Sequence, residues 1–388
     1  MADEHVMPQE ASREDAPEGA ERTIVPGGRR EPPEPRATVA QLGRFDALID
    51  VRSPAEFAQD HIPGAINCPV LDDEQRRIVG TVYKQVSAFE ARKLGAAMVA
   101  RNIAAHLERE VLDKPKDWRP LVYCWRGGTR SGALANVLDQ IGFRTHRLEG
   151  GYQAYRRAVI AALEALPARF QYRVICGSTG AGKSRLLQVL QAQGAQVLDL
   201  EALANHRGSV LGLVPGSPQP TQKAFDTRVW DALRRFDPAR PVFVESESKK
   251  IGDLRVPEAL IRRIRAAPCI HLELGLERRV ALLMQEYDFF VRDTEGFCAR
   301  LDALRALRGH ETVDRWQAAA RAGRTAAVVR ELLTQHYDPI YLQSMRRNFS
   351  GIDSPSLELA WDGSAAGLAA AAQRVTEAFE PADGRRAS

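Results

Sequence analysis

The stretch Val174-Ile-Cys-Gly-Ser-Thr-Gly-Ala-Gly-Lys-Ser-Arg-Leu-Leu187 constrains the chain more than any other. Residues Gly177, Ser178, Thr179, Gly180, Ala181, Gly182, Lys183 and Ser184 fit the pattern G-x-x-x-x-G-K-[ST]. A strand-like run (Tyr172, Val174, Ile175) precedes them and a helical pattern (Leu186, Leu187, Val189, Leu190) follows. Strand, loop and helix in that order make a phosphate cradle. The glycines let backbone N–H groups turn inward, the helix adds its positive end, Lys183 supplies a point charge, and the Ser184 hydroxyl is a candidate ligand for Mg²⁺. The motif does not say which phosphorylated compound it holds.

An apolar strand that ends in a carboxylate beside such a loop is where P-loop proteins hold a metal-bound water or a base. Pro241-Val-Phe-Val-Glu245 reads that way, so Glu245 is the first candidate and Asp199, at the end of the strand 195–200, the second. Capping a helix or pairing with neighbouring Arg and Lys is the alternative role for both. Cys176, at the end of the strand entering the loop, reads as core packing.

A second chemical stretch lies upstream, Pro120-Leu-Val-Tyr-Cys124-Trp-Arg-Gly-Gly-Thr-Arg-Ser131, with a helix expected over 132–141. Cys124 closes a strand and opens a loop with two glycines and two arginines. Backbone N–H groups, a helix N-terminus, Arg126 and Arg130 in that arrangement favour a thiolate. Such a thiolate accepts sulfur or selenium as a persulfide or selenosulfide, or attacks phosphorus. Order begins earlier, at the buried strand pattern Phe45 to Val51. Ser53 and Glu56 then form a capping box, and His61-Ile-Pro-Gly-Ala-Ile-Asn67 leads to a short strand. Asp50, Arg52, Glu56 and His61 read as scaffold. The segment 71–117 reads as a helical insertion, most clearly over 88–111.

At 388 residues the chain is long enough for two or three domains. Its five cysteines, Cys68, Cys124, Cys176, Cys269 and Cys298, are widely spaced and include no C-x-x-C pair, which argues against a disulfide framework or a zinc site and for a reducing compartment. No apolar run approaches ~18 residues and no signal-peptide core is visible, so a soluble cytoplasmic protein with no membrane association is expected. The formal charge is only +4, yet 54 Lys and Arg leave room for a local basic surface. Arg262, Arg263, Arg265, Arg278, Arg279, Arg300, Arg305 and Arg308 are candidates for an electropositive face, with solvated helix faces the plainer reading. Residues 1–36, rich in charge and proline and without an aromatic residue, read as a disordered extension.

The N-terminal half resembles the rhodanese family. Taken whole, the chain resembles the bacterial tRNA 2-selenouridine synthases. The residues that carry the likeness are Asp50-Val-Arg-Ser-Pro-x-Glu-Phe57, Gly80-Thr-Val-Tyr-Lys-Gln85, Cys124-x-Arg-Gly-Gly-x-Arg-Ser131, Leu148-Glu-Gly-Gly-Tyr152, Gly177 to Ser184, Asp199-Leu-Glu201 with His206-Arg-Gly-Ser209, Glu245-Ser-Glu-Ser248 with Ile251-Gly252, and Tyr337-Asp-Pro-Ile-Tyr341. Trp125 directly after the cysteine, with the arginine moved to Arg126, departs from ordinary sulfurtransferases. The fold class this implies is α/β. A rhodanese-like open α/β domain over 37–166 is followed by a P-loop α/β domain over 167–275, a helical region over 276–380 and a tail over 381–388.

The resemblance implies a two-step reaction on the wobble 2-thiouridine of tRNAs for Lys, Glu and Gln. Its sulfur is first geranylated by geranyl diphosphate, then replaced by selenium from selenophosphate. Cys124 would carry selenium as a selenosulfide, with Arg126 and Arg130 steadying anions. Lys183 and Ser184 would hold the diphosphate, with Mg²⁺ as a further ligand of that site. The expected partners are tRNA and a selenophosphate-producing enzyme, the expected state is a monomer, and no bound organic cofactor is expected. A rhodanese-like sulfurtransferase fused to a P-loop small-molecule kinase is the alternative enzyme, and a non-catalytic ligand-sensing module the alternative class.

Overall fold

The computed structural model describes residues 35–207, 216–288 and 292–379. Most of the expected extension, the tail, and Gly208-Ser209 of the His206 motif lie outside these residues. Two parallel five-stranded sheets follow one another along the chain.

The first is built from β1 (Arg36–Ala37), β2 (Ala47–Asp50), β3 (Ile66–Asn67), β4 (Pro120–Tyr123) and β5 (His146–Leu148), in the order β1-β5-β4-β2-β3. All its pairings are parallel. Strand β4 is buried at every position, as a central strand covered on both faces must be, and its proline sits at the first residue, where no ladder N–H is lost. Helix α1 (Pro54–Gln59) opens with the expected capping box of Ser53 and Glu56. The insertion forms a helical hairpin, α2 (Asp73–Gln85) and α3 (Ala88–Glu110). Helix α4 (Thr129–Ile141) starts three residues before the expected 132 and stops at Gly142, whose φ of 109° suits only glycine. Helix α5 (Gly151–Ala165) closes the unit. Strand β1 reaches to Arg36, inside the segment expected to be disordered; two residues pairing with β5 at an edge leave no periodicity to read.

The second sheet has the order β12-β11-β6-β8-β7, again all parallel. Its members are β6 (Tyr172–Cys176), β7 (Gln196–Leu198), β8 (Val242–Glu245), β11 (Cys269–Glu273) and β12 (Leu357–Ala360). A small antiparallel pair, β9 (Lys250–Ile251) and β10 (Leu254–Arg255), stands apart. Around the sheet lie α6 (Lys183–Ala192), α7 (Leu200–Leu203), α8 (Gln222–Leu233), α9 (Glu258–Arg265) and α10 (Leu276–Glu286). The C-terminal region is helical, with its own core around Phe297, Leu301, Val313 and Trp316. It also returns one strand, β12, to the edge of the P-loop sheet beside β11, and the helix Ala365–Phe379 then packs on α6. Four residues, Leu-Glu-Leu-Ala, between Ser-Pro-Ser and Trp-Asp-Gly-Ser carry too little pattern to be read as a strand.

The two sheets share a continuous core. Tyr155, Val159 and Leu163 of α5 belong to the same buried cluster as Phe225, Val229 and Leu233 of α8 and Leu260 and Ile264 of α9. Polar groups register the seam. Asp60 accepts hydrogen bonds from Tyr152 (2.7 Å) and Thr227 (3.1 Å), Arg156 pairs with Asp226, and Thr221 bonds the Gln59 carbonyl. Among the described residues no helix is long and apolar enough to cross a membrane.

Tyr155 is fully buried at that seam and touches both halves of the core. Truncating a buried aromatic costs about 3–5 kcal/mol. Tyr155→Ala is therefore expected to lower the urea midpoint strongly while both halves still unfold in a single transition; two separated transitions in the wild type would refute the shared core.

Candidate active sites

Cys124 follows β4 at the C-terminal end of the sheet, at the point where connections leave to opposite sides: β2 to β3 one way, β4 to β5 the other. Crevices form at such switch points. The thiol is buried, with Sγ 3.3 Å from Ser131 Oγ, and Ser131 Oγ in turn donates to the Gly128 carbonyl at 3.0 Å. Ser131 sits in the first turn of α4, so the sulfur lies against a helix N-terminus and a hydroxyl. The loop is pinned from behind by the start of α5: Tyr152 N–H donates to the Cys124 carbonyl (2.8 Å) and Gln153 N–H to the Trp125 carbonyl (3.0 Å). Gly151, at φ 57°, makes this approach possible. A Cβ there would stand 2.4 Å from the Cys124 oxygen. Trp125 stacks on Tyr152 at 5.4 Å.

The two expected arginines are placed differently. Arg126 is exposed and donates to Gln153 Oε1 at 3.2 Å, while Arg130 pairs with Glu56 at 2.8 Å, and Arg76 reaches the same carboxylate at 3.4 Å. Glu56 thereby shares the charge of Arg130. Desolvation raises the Glu56 pKa, but Arg130 and Arg76 outweigh it and hold the carboxyl below its ordinary value. Asp50, Arg52 and His61 form the scaffold: Arg52 is buried against Asp50, and His61 stacks on Phe57 at 3.8 Å.

The phosphate loop leaves β6 and runs into α6. Gly180 and Gly182 hold φ of 77° and 89°. Trp361 braces the loop from below, its Nε1 donating to the Ala181 carbonyl at 2.8 Å, and a Cβ on Gly182 would strike its ring at 2.5 Å. Arg279 donates to the Thr179 carbonyl and clamps Asp338 with two bonds of 2.8 Å. This corrects the expectation that Arg279 belongs to an outward electropositive face: it is buried. Arg305 is likewise paired, with Asp302 and Asp314. Tyr341 accepts from Gly177 N–H at 2.8 Å and lies under Lys183.

Lys183 Nζ donates to the Gly177 carbonyl (2.9 Å) and stands 3.4 Å from Glu245. Ser184 Oγ donates to Glu245 at 2.9 Å and is 3.3 Å from Glu201. Carboxylate oxygens of Glu201, Glu245 and Glu247 lie within 4.8 Å of one another. Glu245 stands at the end of β8, beside Lys183 and Ser184. Asp199 lines the same cavity, but its Oδ1 caps α7 by accepting from Ala202 N–H at 2.9 Å. The places beside Glu245 go to Glu201 and Glu247. The spacing Glu245-Ser-Glu247 was the available signal, since alternate residues of an extended chain share a face. The cavity holds about 940 Å³. Apolar side chains Leu283, Leu307, Ile340, Met345 and Phe349 share its wall with the loop, and His206 adds an Nδ1 that is buried without a hydrogen-bond partner among the described residues.

Burial disfavours the charged form of Lys183, but Glu245 and the neighbouring carboxylates outweigh it and raise its pKa. Burial raises Glu201, and burial followed by the nearby Glu245 charge pushes Glu247 up to about 8.

Residues 36–158 match the rhodanese-like domain family, and residues 170–312 match the family described as the tRNA 2-selenouridine synthase AAA domain. Proteins named tRNA 2-selenouridine synthase from Marinobacter nauticus and Hydrogenovibrio crunogenus are 33% and 35% identical to the chain. The first alignment covers 76% of this chain and 87% of the relative, the second 79% and 91%. The relative of that name from Sulfurovum is 32% identical over 79% of this chain and 90% of its own.

Glu247 binds its proton more tightly in the folded chain than at its ordinary 4.5. Between about pH 4.5 and 8 the folded state therefore holds more protons than the unfolded one, and stability falls as pH rises through that window. In metal-free buffer, Glu247→Gln is expected to flatten the decline in melting temperature from pH 6 to 8; an unchanged slope would show that Glu247 is ionised throughout.

Proposed function

Because the chain belongs to the tRNA 2-selenouridine synthase family, we propose that it replaces the sulfur of wobble 2-thiouridine in the tRNAs for Lys, Glu and Gln with selenium. The first step is geranylation of the sulfur by geranyl diphosphate; the second is displacement of the geranylthiol by selenium from selenophosphate. The observation that carries this reading is the composition of the P-loop cavity, a phosphate cradle and an apolar wall in one space. That pairing suits a diphosphate joined to a short hydrocarbon chain.

In geranylation the thiocarbonyl sulfur of the base attacks the allylic carbon, the carbon–oxygen bond breaks, and diphosphate leaves. Lys183, the loop N–H groups and the α6 N-terminus are the groups that stabilise the departing charge. The oxygen donors Ser184, Glu201, Glu245 and Glu247 fit Mg²⁺, a hard cation that takes carboxylate and hydroxyl ligands. Such an ion would add charge neutralisation to the leaving group. Arg279 and Trp361 hold the loop in shape without reaching the substrate.

Selenium in selenophosphate is already at the selenide level, so exchange at the base needs no oxidant. The selenosulfide expected on Cys124 would need a two-electron oxidant, so the balanced route is attack of the Cys124 thiolate on phosphorus, which forms an S–P bond, breaks the Se–P bond and frees hydroselenide. Selenium then adds to C2 and geranylthiolate leaves; hydrolysis of the S–P bond restores the thiol. The α4 N-terminus adds its positive end beside the sulfur; the Ser131 hydroxyl would bond a thiolate only by turning its one proton from the Gly128 carbonyl to the sulfur, and exposed Arg126 borders the loop mouth.

Mass spectrometry of nucleosides from 2-thiouridine tRNA, incubated with geranyl diphosphate with and without selenophosphate, tests both steps. Wild type is expected to give geranylated and then selenated uridine. Lys183→Ala lowers the rate of the first product by ~10²-fold or more, while Cys124→Ser leaves it intact and abolishes the second. Unchanged nucleosides together with tRNA-independent ATP hydrolysis would instead establish the sulfurtransferase–kinase alternative.

A further inference from the structure

The α2–α3 hairpin carries a surface that neither active site uses. Its two helices pack against each other, with Gly95 of α3 seated against Val79 of α2, and the turn between them is only Val86-Ser87. At that tip Tyr83, Val86 and Phe89 are 63%, 68% and 64% exposed. Two aromatic rings and a valine in water, within seven residues of chain, are a cost to the isolated fold that a partner would relieve.

The charge around these rings indicates the partner. Of the cations near the tip, Arg76 pairs with Glu56, Arg77 with Glu74 and Lys93 with Glu90, which leaves Lys84 and Arg92, on either side of the turn, without a carboxylate partner among the described residues. Lys93 lies over the Phe89 ring at 5.0 Å. Aromatic faces interleaved with Lys and Arg suit single-stranded nucleic acid, whose bases stack and whose phosphates pair.

The base of the hairpin indicates where that nucleic acid lies. Asp73, in the first turn of α2, accepts from Ala55 N–H, and Arg76 reaches Glu56, the carboxylate that also holds Arg130 at the Cys124 loop. The arm is therefore rooted beside the reactive cysteine. Its tip stands about 20 Å away, from thirteen residues at about 1.5 Å each.

We infer that this hairpin grips the anticodon arm of the tRNA, Tyr83 and Phe89 stacking on loop bases while Lys84 and Arg92 meet phosphates, with the wobble base directed to Cys124. The inference rests on tRNA being the substrate. A second copy of the chain or a protein partner would not need the cationic rim.

The test uses the full chain with Tyr83→Ala/Phe89→Ala and, separately, Lys84→Ala/Arg92→Ala. Kd for 2-thiouridine tRNA is read by fluorescence anisotropy across a salt series, and KM and kcat by geranylation. Loss of stacking at ~1–3 kcal/mol per base corresponds to at least about a fivefold rise in Kd and in KM for tRNA. KM for geranyl diphosphate, kcat and melting temperature are expected to stay unchanged. The charge variant is expected to weaken binding and flatten the dependence of log Kd on log salt. Unaltered tRNA affinity in both variants, with an active wild type, overturns the hairpin's role alone. A wild-type dimer that becomes monomeric in Tyr83→Ala/Phe89→Ala also overturns it, assigning the patch to self-association. A wild type that neither binds nor modifies tRNA removes the proposed function and this inference together.

Discussion

A single buried guanidinium organises the rhodanese-like half and its junction with the rest. Arg52 is 1% exposed, and an isolated charge at that depth would cost several kcal/mol. Asp50 answers it with bonds of 3.0 and 2.6 Å, and the desolvation that would lower the Arg52 pKa is outweighed by this pairing. Arg52 has donors to spare. One reaches the Asp60 carbonyl at 2.7 Å, and the guanidinium plane sits 3.9 Å from the centre of the Tyr152 ring. The position of the charge thus fixes both the Asp60 turn and the first turn of α5.

From there the consequences run two ways. Tyr152 gives its N–H to the Cys124 carbonyl and its ring to Trp125, so the Cys124 loop rests on a residue that Arg52 holds. Its hydroxyl bonds Asp60, which also takes the Thr227 hydroxyl from α8 in the P-loop half. Burial raises the Asp60 pKa, and the Tyr152 and Thr227 hydrogen bonds oppose that rise. The same few side chains therefore set the cysteine loop and the register between the two sheets. The P-loop site is organised differently. There three carboxyl groups face one ammonium; burial and mutual repulsion make Glu201 and Glu247 hold their protons, and a cation accompanying an anionic ligand would take the place of those protons.

The parts of this arrangement legible in the sequence are those fixed by local chemistry. The phosphate loop is legible because Gly180 and Gly182 need positive φ and Lys183-Ser184 must follow at the helix start. The capping box at Ser53 and the buried β4 are legible for the same kind of reason. What was not legible depends on pairing between distant segments. Nothing local marks Leu357–Ala360 as the partner of β11, or Arg279 as the clamp on Asp338 beneath the loop. The pairing of Arg130 is likewise not legible, because the motif shows its charge and not Glu56, which shares it from seventy-four residues away.

Placing both sites in one chain also has a physical rationale. In the proposed reaction the geranylated base is apolar and bulky, and its conversion would require it to leave the P-loop cavity and reach Cys124. Both sites lie at the C-terminal ends of parallel sheets, and α5 and α8 are packed together between those sheets with Tyr155 buried at their contact. A rigid seam fixes the spacing of the two sites, so the travel must come from the substrate. An RNA loop held by its flanking nucleotides has that freedom, because its backbone torsions are soft where the protein core is not. Under the proposed function, the shared core would thus hold the two sites as a fixed pair of stations for one mobile base.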